Sequence, residues 1–271
     1  MQNILVPVDF SEISRHAAIY AIKLAAQLHV PKVILYHAYQ APLTIDSPVA
    51  AVQLFDEAQL KKDSSAALQH FRSTIENECT PGCFLETYNE YNLLINGVDE
   101  VCNLTNSKLV VMGITGGGAL AEKIIGSNTV TVARNSTVPV VIVSKDTEFK
   151  PFSSIVLLTD YHHTDENLPI QKIHWLLDQT HAKLQVLHVE KDKNVQQALQ
   201  EIVLLKDHNP SYHVVHSEHF TTGVEDFVNT NGADLIIIIP KDHAFFSSLF
   251  ITSHTTQLAF HSKVPVLAIH E

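Results

Sequence analysis

The sequence predicts an α/β protein of two tandem domains, each a parallel sheet of roughly five strands flanked by helices. Three observations carry this. Short apolar runs alternate with stretches of helical periodicity, the pattern of βαβ units and hence of a parallel sheet. The pattern then recurs, because Asp160 and His188 follow Asp9 and His37 at a single offset of 151 residues, at the ends of two separate apolar runs. A third pair of segments agrees in order, Thr137–Ile142 with Lys263–Ala268, at an offset of 126. The second copy is thus shorter in its middle by the difference of the offsets, about 25 residues. The boundary falls near Asp146 to Phe152, which gives domains at 1–147 and 152–271.

The elements follow in order. Asn3-Ile4-Leu5-Val6-Pro7-Val8-Asp9 is a short apolar run, as expected of a strand buried on both faces. Ser11 stands as N-cap to a helix from Ile13 to Leu28, in which Ala17, Ala18, Ala21, Ile22 and Ala25 recur at helical spacing. Lys32 to Ala38 is the second strand. Ala41 to Pro48, with two prolines and no period, is a loop, and Ala58 to Glu78 is an amphipathic helix with a solvated charged face. Leu109 to Met112 is a buried strand, Thr129 to Arg134 a short helix and Val138 to Val143 the last strand of the first copy. In the second copy, strands are expected at Ser154–Asp160, Ala182–Val189, Asp234–Ile239 and Val264–Ile269, with a helix over Leu168–Gln179.

Composition narrows the function. With 45% apolar and 17% charged residues in 271, the chain has material for a core. Lys and Arg number 18 against 29 Asp and Glu, and the net charge of −11 argues against nucleic-acid binding and against a polybasic membrane anchor. Three cysteines, Cys79, Cys83 and Cys102, make no disulfide framework and suit a reducing cytoplasm. No apolar run is long enough to span a bilayer, and the first residues read as a strand rather than a signal peptide.

The chemistry is expected where Gly113-Ile114-Thr115-Gly116-Gly117-Gly118 follows the Leu109–Met112 strand and Gly126-Ser127-Asn128-Thr129 opens the next helix. Glycine admits close backbone approach to a phosphate, and a helix N-terminus offers unpaired N–H groups and the positive end of a dipole. In open parallel sheets the ligand crevice lies at the carboxyl ends of the strands, where Asp9 and Ala38 also stand. This suits a nucleotide. The glycines with Ser127 and Thr129 would hold phosphates. Asp9 would accept from ribose hydroxyls or the adenine amine, and Pro7, Val8, Ala38 and Met112 would form an apolar slot for the base.

The spacing Gly113-x2-Gly116-x9-Gly126-Ser127 resembles the nucleotide-binding signature of the universal stress protein family. Pro7-Val8-Asp9-Phe10-Ser11, His37-Ala38 and Val138-Pro139-Val140-Val141-Ile142-Val143 are similar to that family's strand ends, and the resemblance covers both halves. It implies a tandem pair of Rossmann-like domains packed as an internal pseudo-dimer, with the last strands paired across the interface. It implies ATP, with or without magnesium, on Pro7, Val8, Asp9, Ala38, Met112, Gly113, Thr115, Gly116, Gly126, Ser127, Asn128 and Thr129. Ala38 is smaller than the family's usual valine, which loosens the adenine slot. The resemblance points to a nucleotide sensor or regulator with an unidentified protein partner rather than a catalyst, and homodimers of the tandem chain fit it.

The second copy lacks these loops. Its strand Asp234–Ile239 runs into Pro240-Lys241-Asp242-His243, and Thr252 stands where Gly126 stands. No ATP is expected there despite Asp160. Phe245, Phe246, Leu249 and Phe250 would be core, a domain contact or a partner surface.

Rival readings find less support. There are 17 histidines, 13 of them after residue 150, clustered at His162-His163 and at His208, His213, His216 and His219. No Cys-x2-Cys or His-Glu-x2-His spacing accompanies them, so no metal ligand is assigned. The chain has no Gly-x4-Gly-Lys-Ser/Thr, no Gly-x-Gly-x2-Gly after the first strand and no Gly-x-Ser-x-Gly. A scaffold without nucleotide and a weak ATPase or autokinase, with Ser127 and Thr129 as the nearest hydroxyls, stay open as alternatives.

Overall fold

Neighbouring residues of the apolar runs point to opposite sides of a strand, so each run supplies two cores at once. A computed structural model describes residues 2–40, 56–114, 127–159, 168–191, 202–239 and 263–270. Strands β1 (Asn3–Pro7), β2 (Lys32–Tyr39), β3 (Phe84–Tyr91), β4 (Ser107–Ile114) and β5 (Val140–Ser144) come from the first half. The second half gives β6 (Ser154–Leu158), β7 (Lys183–Glu190), β8 (Ser211–His216), β9 (Leu235–Ile238) and β10 (Val266–Ala268). Helices α1 (Glu12–Gln27), α2 (Glu57–Ile75), α3 (Leu94–Thr105) and α4 (Ser127–Asn135) belong to the first half, α5 (Ile170–Thr180) and α6 (Phe220–Asn231) to the second.

The ten strands form one sheet in the order β3-β2-β1-β4-β5-β10-β9-β6-β7-β8, a palindrome in which each strand faces its repeat across the β5–β10 junction. Within each half the pairings are parallel, as β1 on β2 (Ile4 beside Val33) and β6 on β7 (Ile155 beside Leu184) show. At the junction β10 runs antiparallel to β5, with Leu267 opposite Val141. The expected pairing of last strands is therefore present, and it covers two sheet edges at once. One core layer joins Ile4, Val6, Val33 and Leu35 to α1, α2 and α5, while the other joins Leu5, Ile34, Tyr36 and Val110 to α3, α4 and α6.

Helix α1 starts where Ser11 accepts from the Ser14 amide at 3.3 Å. Its alanines Ala17, Ala18, Ala21 and Ala25 are fully buried and bring the helix close to the sheet. With only nine glycines in the chain, left-handed cap positions fall to His29, Asn106, His181 and Asn209, with φ from 48° to 52°. Strand β3, helices α3 and α6 and the 3-10 segment Val203–His208 are additions to the expected elements, and β8 falls where Val214-Val215 favours a strand. The helix expected over Ala58–Glu78 instead spans Glu57–Ile75, capped by Asp56, with a 3-10 turn at Glu76–Glu78.

Side chains fasten the junction beyond the strand pairing. The Gln27 amide both donates to the Phe152 carbonyl at 3.1 Å and accepts from its N–H at 3.0 Å. Within the first domain, His16 Nε2 donates to the Thr147 carbonyl at 2.8 Å and holds the chain that leads to the junction. Lys172 Nζ, on α5, donates to the carbonyls of Thr137 at 3.0 Å and His270 at 2.8 Å. Burial lowers the Lys172 pKa from its ordinary value, against the pull of Asp99.

Candidate functional site

The carboxyl ends of β1, β2 and β4 lie side by side, and α4 starts above them. The Val8 amide donates to the Tyr36 carbonyl at 2.7 Å, extending the β1–β2 ladder by one residue. His37 Nδ1 donates to the Val8 carbonyl at 2.7 Å, so the imidazole braces the point where the chain leaves the sheet. Pro7 and Val8 are buried and Ala38 is half-buried. Met112 is 5% exposed and belongs to the core layer of α3 and α4.

Beyond Val8 the chain turns through Phe10, whose φ of 65° lies in the left-handed region. A bulky residue there is uncommon and calls for compensation. Part of it comes from ring contacts, 4.5 Å between centroids to His37 and 6.0 Å to Phe71. The rest comes from Asp9, whose Oδ1 accepts from the Ser11 amide at 3.1 Å and from its hydroxyl at 2.5 Å. Partial burial pushes the Asp9 pKa up, but the hydrogen bonds from Ser11 and Ser14 together outweigh it and leave the carboxyl below 3.8. Asp9 is therefore an exposed carboxylate held in place at the mouth of the crevice, with further lone pairs to offer a donor.

Gly113 and Thr129 carry tasks that the sequence did not announce. A Cβ on Gly113 would lie 2.6 Å from the Ile13 carbonyl oxygen, so the glycine lets the first turn of α1 seat against β4. Thr129 is 5% exposed, and its hydroxyl donates to the Gly113 carbonyl at 2.8 Å. That bond brings the N-terminus of α4 to the end of β4, the relation a phosphate-binding turn needs. It also means that Thr129 would have to give up this bond to donate to a phosphate. Asn128 is exposed, and Ser127 is the first residue of α4. Thr115, Gly116 and Gly126 lie outside the described residues, as do Asp160, the paired His162-His163, Thr252 and the aromatics from Phe245 to Phe250.

Sequence reading missed Phe10 and Phe71 as an aromatic wall beside Asp9. A signal existed for the bracing imidazole, namely the common offset of His37 and His188. The second half repeats it, for His188 Nδ1 donates to the Thr159 carbonyl at 3.0 Å and the Thr159 amide to the Leu187 carbonyl at 3.0 Å. A groove of about 570 Å³ opens elsewhere, at the junction, between Lys145–Lys150, Ala233–Asp234 and Lys263–Pro265. It lies beyond the carboxyl end of β5 and is lined by none of the residues of the candidate nucleotide site. Among the described residues no helix is long and apolar enough to cross a membrane, and no group of three or more His, Cys, Asp or Glu is gathered for a metal ion.

A model of the universal stress protein family matches residues 1–144 and 175–270. A universal stress protein of Methanocaldococcus jannaschii is 26% identical over 144 residues, 53% of this chain and 82% of the relative. Among solved structures, a universal stress protein from Archaeoglobus fulgidus superposes with a TM-score of 0.73 at 16% identity, covering 99% of this chain and 98% of that one. A putative universal stress protein from Pseudomonas aeruginosa gives 0.58 at 13% identity, covering 100% and 93%. These two likenesses show the fold.

Proposed function

The chain belongs to the universal stress protein family, and on that premise we propose that its first domain, residues 1–147, binds ATP and that the protein works as a nucleotide-dependent regulator in the cytoplasm. The observation that carries this is the Thr129–Gly113 bond, which sets the start of α4 beside the ends of β1 and β4. An anion placed there meets unpaired N–H groups and the positive end of the helix dipole. Asp9 is ionised, exposed and fixed by Ser11, which fits it to accept from a ribose hydroxyl or the adenine amine. Pro7, Val8, Ala38 and Met112 offer the base an apolar wall, and the Phe10 ring adds a second. ATP would supply the phosphates and the base, while the chain's own residues bind and orient them. Thr115, Gly116 and Gly126 complete the phosphate loops in this reading, with Ser127, Asn128 and Gly113.

The second domain, residues 152–271, binds no nucleotide in this proposal, because it lacks the glycines, and serves as the structural partner of the first. ATP ordering the glycine loops would change a surface read by a protein partner.

Calorimetric titration of the full chain with ATP, with and without magnesium, tests the site. One equivalent is expected in the parent and none in a Gly116→Val, Gly126→Val double variant. Two equivalents in the parent would place a second nucleotide in the second domain. No binding in the parent would leave the scaffold reading.

A further inference from the structure

The three cysteines make no framework of structural disulfides, but the fold brings two of them together. Helix α2 ends in the 3-10 turn Glu76–Glu78, where the Cys79 amide donates to the Glu76 carbonyl at 3.2 Å. The chain then reverses through Thr80-Pro81-Gly82-Cys83 and enters the edge strand β3 at Phe84. The Cys83 amide donates back to the Thr80 carbonyl at 3.0 Å, and Gly82 has a φ of 94°. Proline in the second position and a left-handed glycine in the third make this a type II turn.

The turn places the two cysteines on either side of it, and their thiols meet. The Cys83 S–H donates to the Cys79 sulfur. Both side chains are half-buried and rest on the core layer of α1 and α2. Thr80, Pro81 and Gly82 are exposed, so the pair lies directly beneath a solvated turn.

The two thiols are not equivalent. Burial raises the pKa of both. At Cys79 the bond from Cys83 and the Arg72 guanidinium work against burial, while Glu76 adds to it. At Cys83 the Cys79 neighbour adds to burial, and the pKa is pushed up to about 11. Cys79 is therefore the thiol that ionises first, and the bond that favours its thiolate comes from the residue placed to resolve it. Cys102, the third cysteine, is 1% exposed on α3 in the other core layer, and burial pushes its pKa up to about 12.

We propose that Cys79 and Cys83 are a site of reversible oxidation, closing an intramolecular disulfide beside the Thr80–Cys83 turn when the protein meets a hydroperoxide. The Cys79 thiolate attacks a peroxide oxygen, so that an S–O bond forms, the O–O bond breaks and hydroxide leaves. The Cys83 sulfur, losing its proton, then attacks the Cys79 sulfenic acid, so that the S–S bond forms, the S–O bond breaks and a second hydroxide leaves. The two hydroxides take up the two thiol protons. Two thiols are thus oxidised by two electrons while one hydrogen peroxide is reduced to two waters. Thiols of raised pKa are scarce as thiolates and poor as leaving groups, so the disulfide forms slowly and resists reduction once formed. A transient bond of this kind is compatible with a reducing compartment. It ties the end of α2 to the start of β3, at the amino ends of the strands, and shares no residue with the nucleotide reading.

The test treats the reduced full chain with hydrogen peroxide, blocks the remaining thiols with a maleimide and reads the peptides by mass spectrometry. The parent should lose the Cys79 and Cys83 thiols in step, with the peptide that carries both lighter by two hydrogens, while Cys102 stays reduced. Dithiothreitol should restore both thiols. Cys83→Ser should stop at the sulfenic acid of Cys79, trapped with dimedone, and Cys79→Ser should lose that label and leave Cys83 reduced over the same time. The space around Gly82 is open, so Gly82→Ala strains only the turn. It should slow the second step and let the Cys79 sulfenic acid persist. Circular dichroism should show each variant folded. The proposal is overturned by a parent whose thiols all survive, by disulfides between chains with none within, or by Cys102 oxidising as fast as the pair.

Discussion

Asp9 shows how one residue is prepared for a ligand by its own neighbours. Its carboxylate caps the turn through Phe10 by taking both the amide and the hydroxyl of Ser11. The same bonds hold the carboxyl ionised, because they outweigh the penalty of partial burial. A pH dependence follows. The folded-state pKa lies below the reference value of 3.8, so the stabilisation from ionised Asp9 is fully present above 3.8. It is lost as pH falls through the still lower folded value. Denaturant unfolding of the parent and of Asp9→Asn should therefore differ at neutral pH and converge as the pH is lowered past 3.8. A gap that stays constant over that range would mean that the Ser11 bonds do not depend on the charge. Thr129 makes the complementary point. Its hydroxyl lies where a phosphate ligand is expected, yet in the fold it holds α4 to β4.

Elements were legible in the sequence to the extent that both faces of each were apolar. β1, β2, β4 and β9 read as unbroken runs because a parallel sheet buries them on both sides. β3 was missed because Phe-Leu-Glu-Thr-Tyr-Asn-Glu-Tyr forms an edge, where only Leu85 is buried and polar residues interrupt the run. Helices α3 and α6 were missed together, and their glycines explain part of it. A Cβ on Gly97 would strike the Tyr36 hydroxyl and one on Gly223 would lie 2.8 Å from Val189, so the two helices press on the sheet at equivalent places through residues that score poorly as helix formers. Of the site, the strand ends and the helix start could be read from spacing. The Phe10 wall could not, since it depends on a left-handed turn that no motif marks. The seat of α4 is also a tertiary matter. His270 Nε2, near the end of the second half, donates to the Ala133 carbonyl at 2.7 Å, and Lys172 holds both Thr137 and His270. Removing the His270 bond should loosen α4 by about 1 kcal/mol, which corresponds to roughly fivefold faster amide exchange. Hydrogen exchange on His270→Ala should show this over α4 and leave α3 unchanged. Equal acceleration in both helices would indicate general destabilisation instead.

At the scale of the whole molecule, the two halves share more than a linker. The sheet is continuous through β5 and β10, and one core layer runs from Ile4 in the first half to Leu267 and Ile269 in the second. Structures that share a core and a hydrogen-bond ladder unfold together, so the parent should melt in a single transition despite its tandem origin. The β5–β10 pairing is the contact to break. Leu267 is 2% exposed and sits in the middle of β10, with β5 on one side and β9 on the other. Proline there removes a ladder N–H whichever neighbour it serves, and a central strand tolerates this poorly. Leu267→Pro should therefore uncouple the halves. Calorimetric melting should resolve two transitions, the lower from the second half, which loses its own edge strand, and the upper from the first half. Exposed β5 and β9 edges should also favour association between chains, seen as concentration-dependent sedimentation. A variant that still melts once, at a lower temperature, would assign the coupling to Gln27, Lys172 and His270 rather than to the strands.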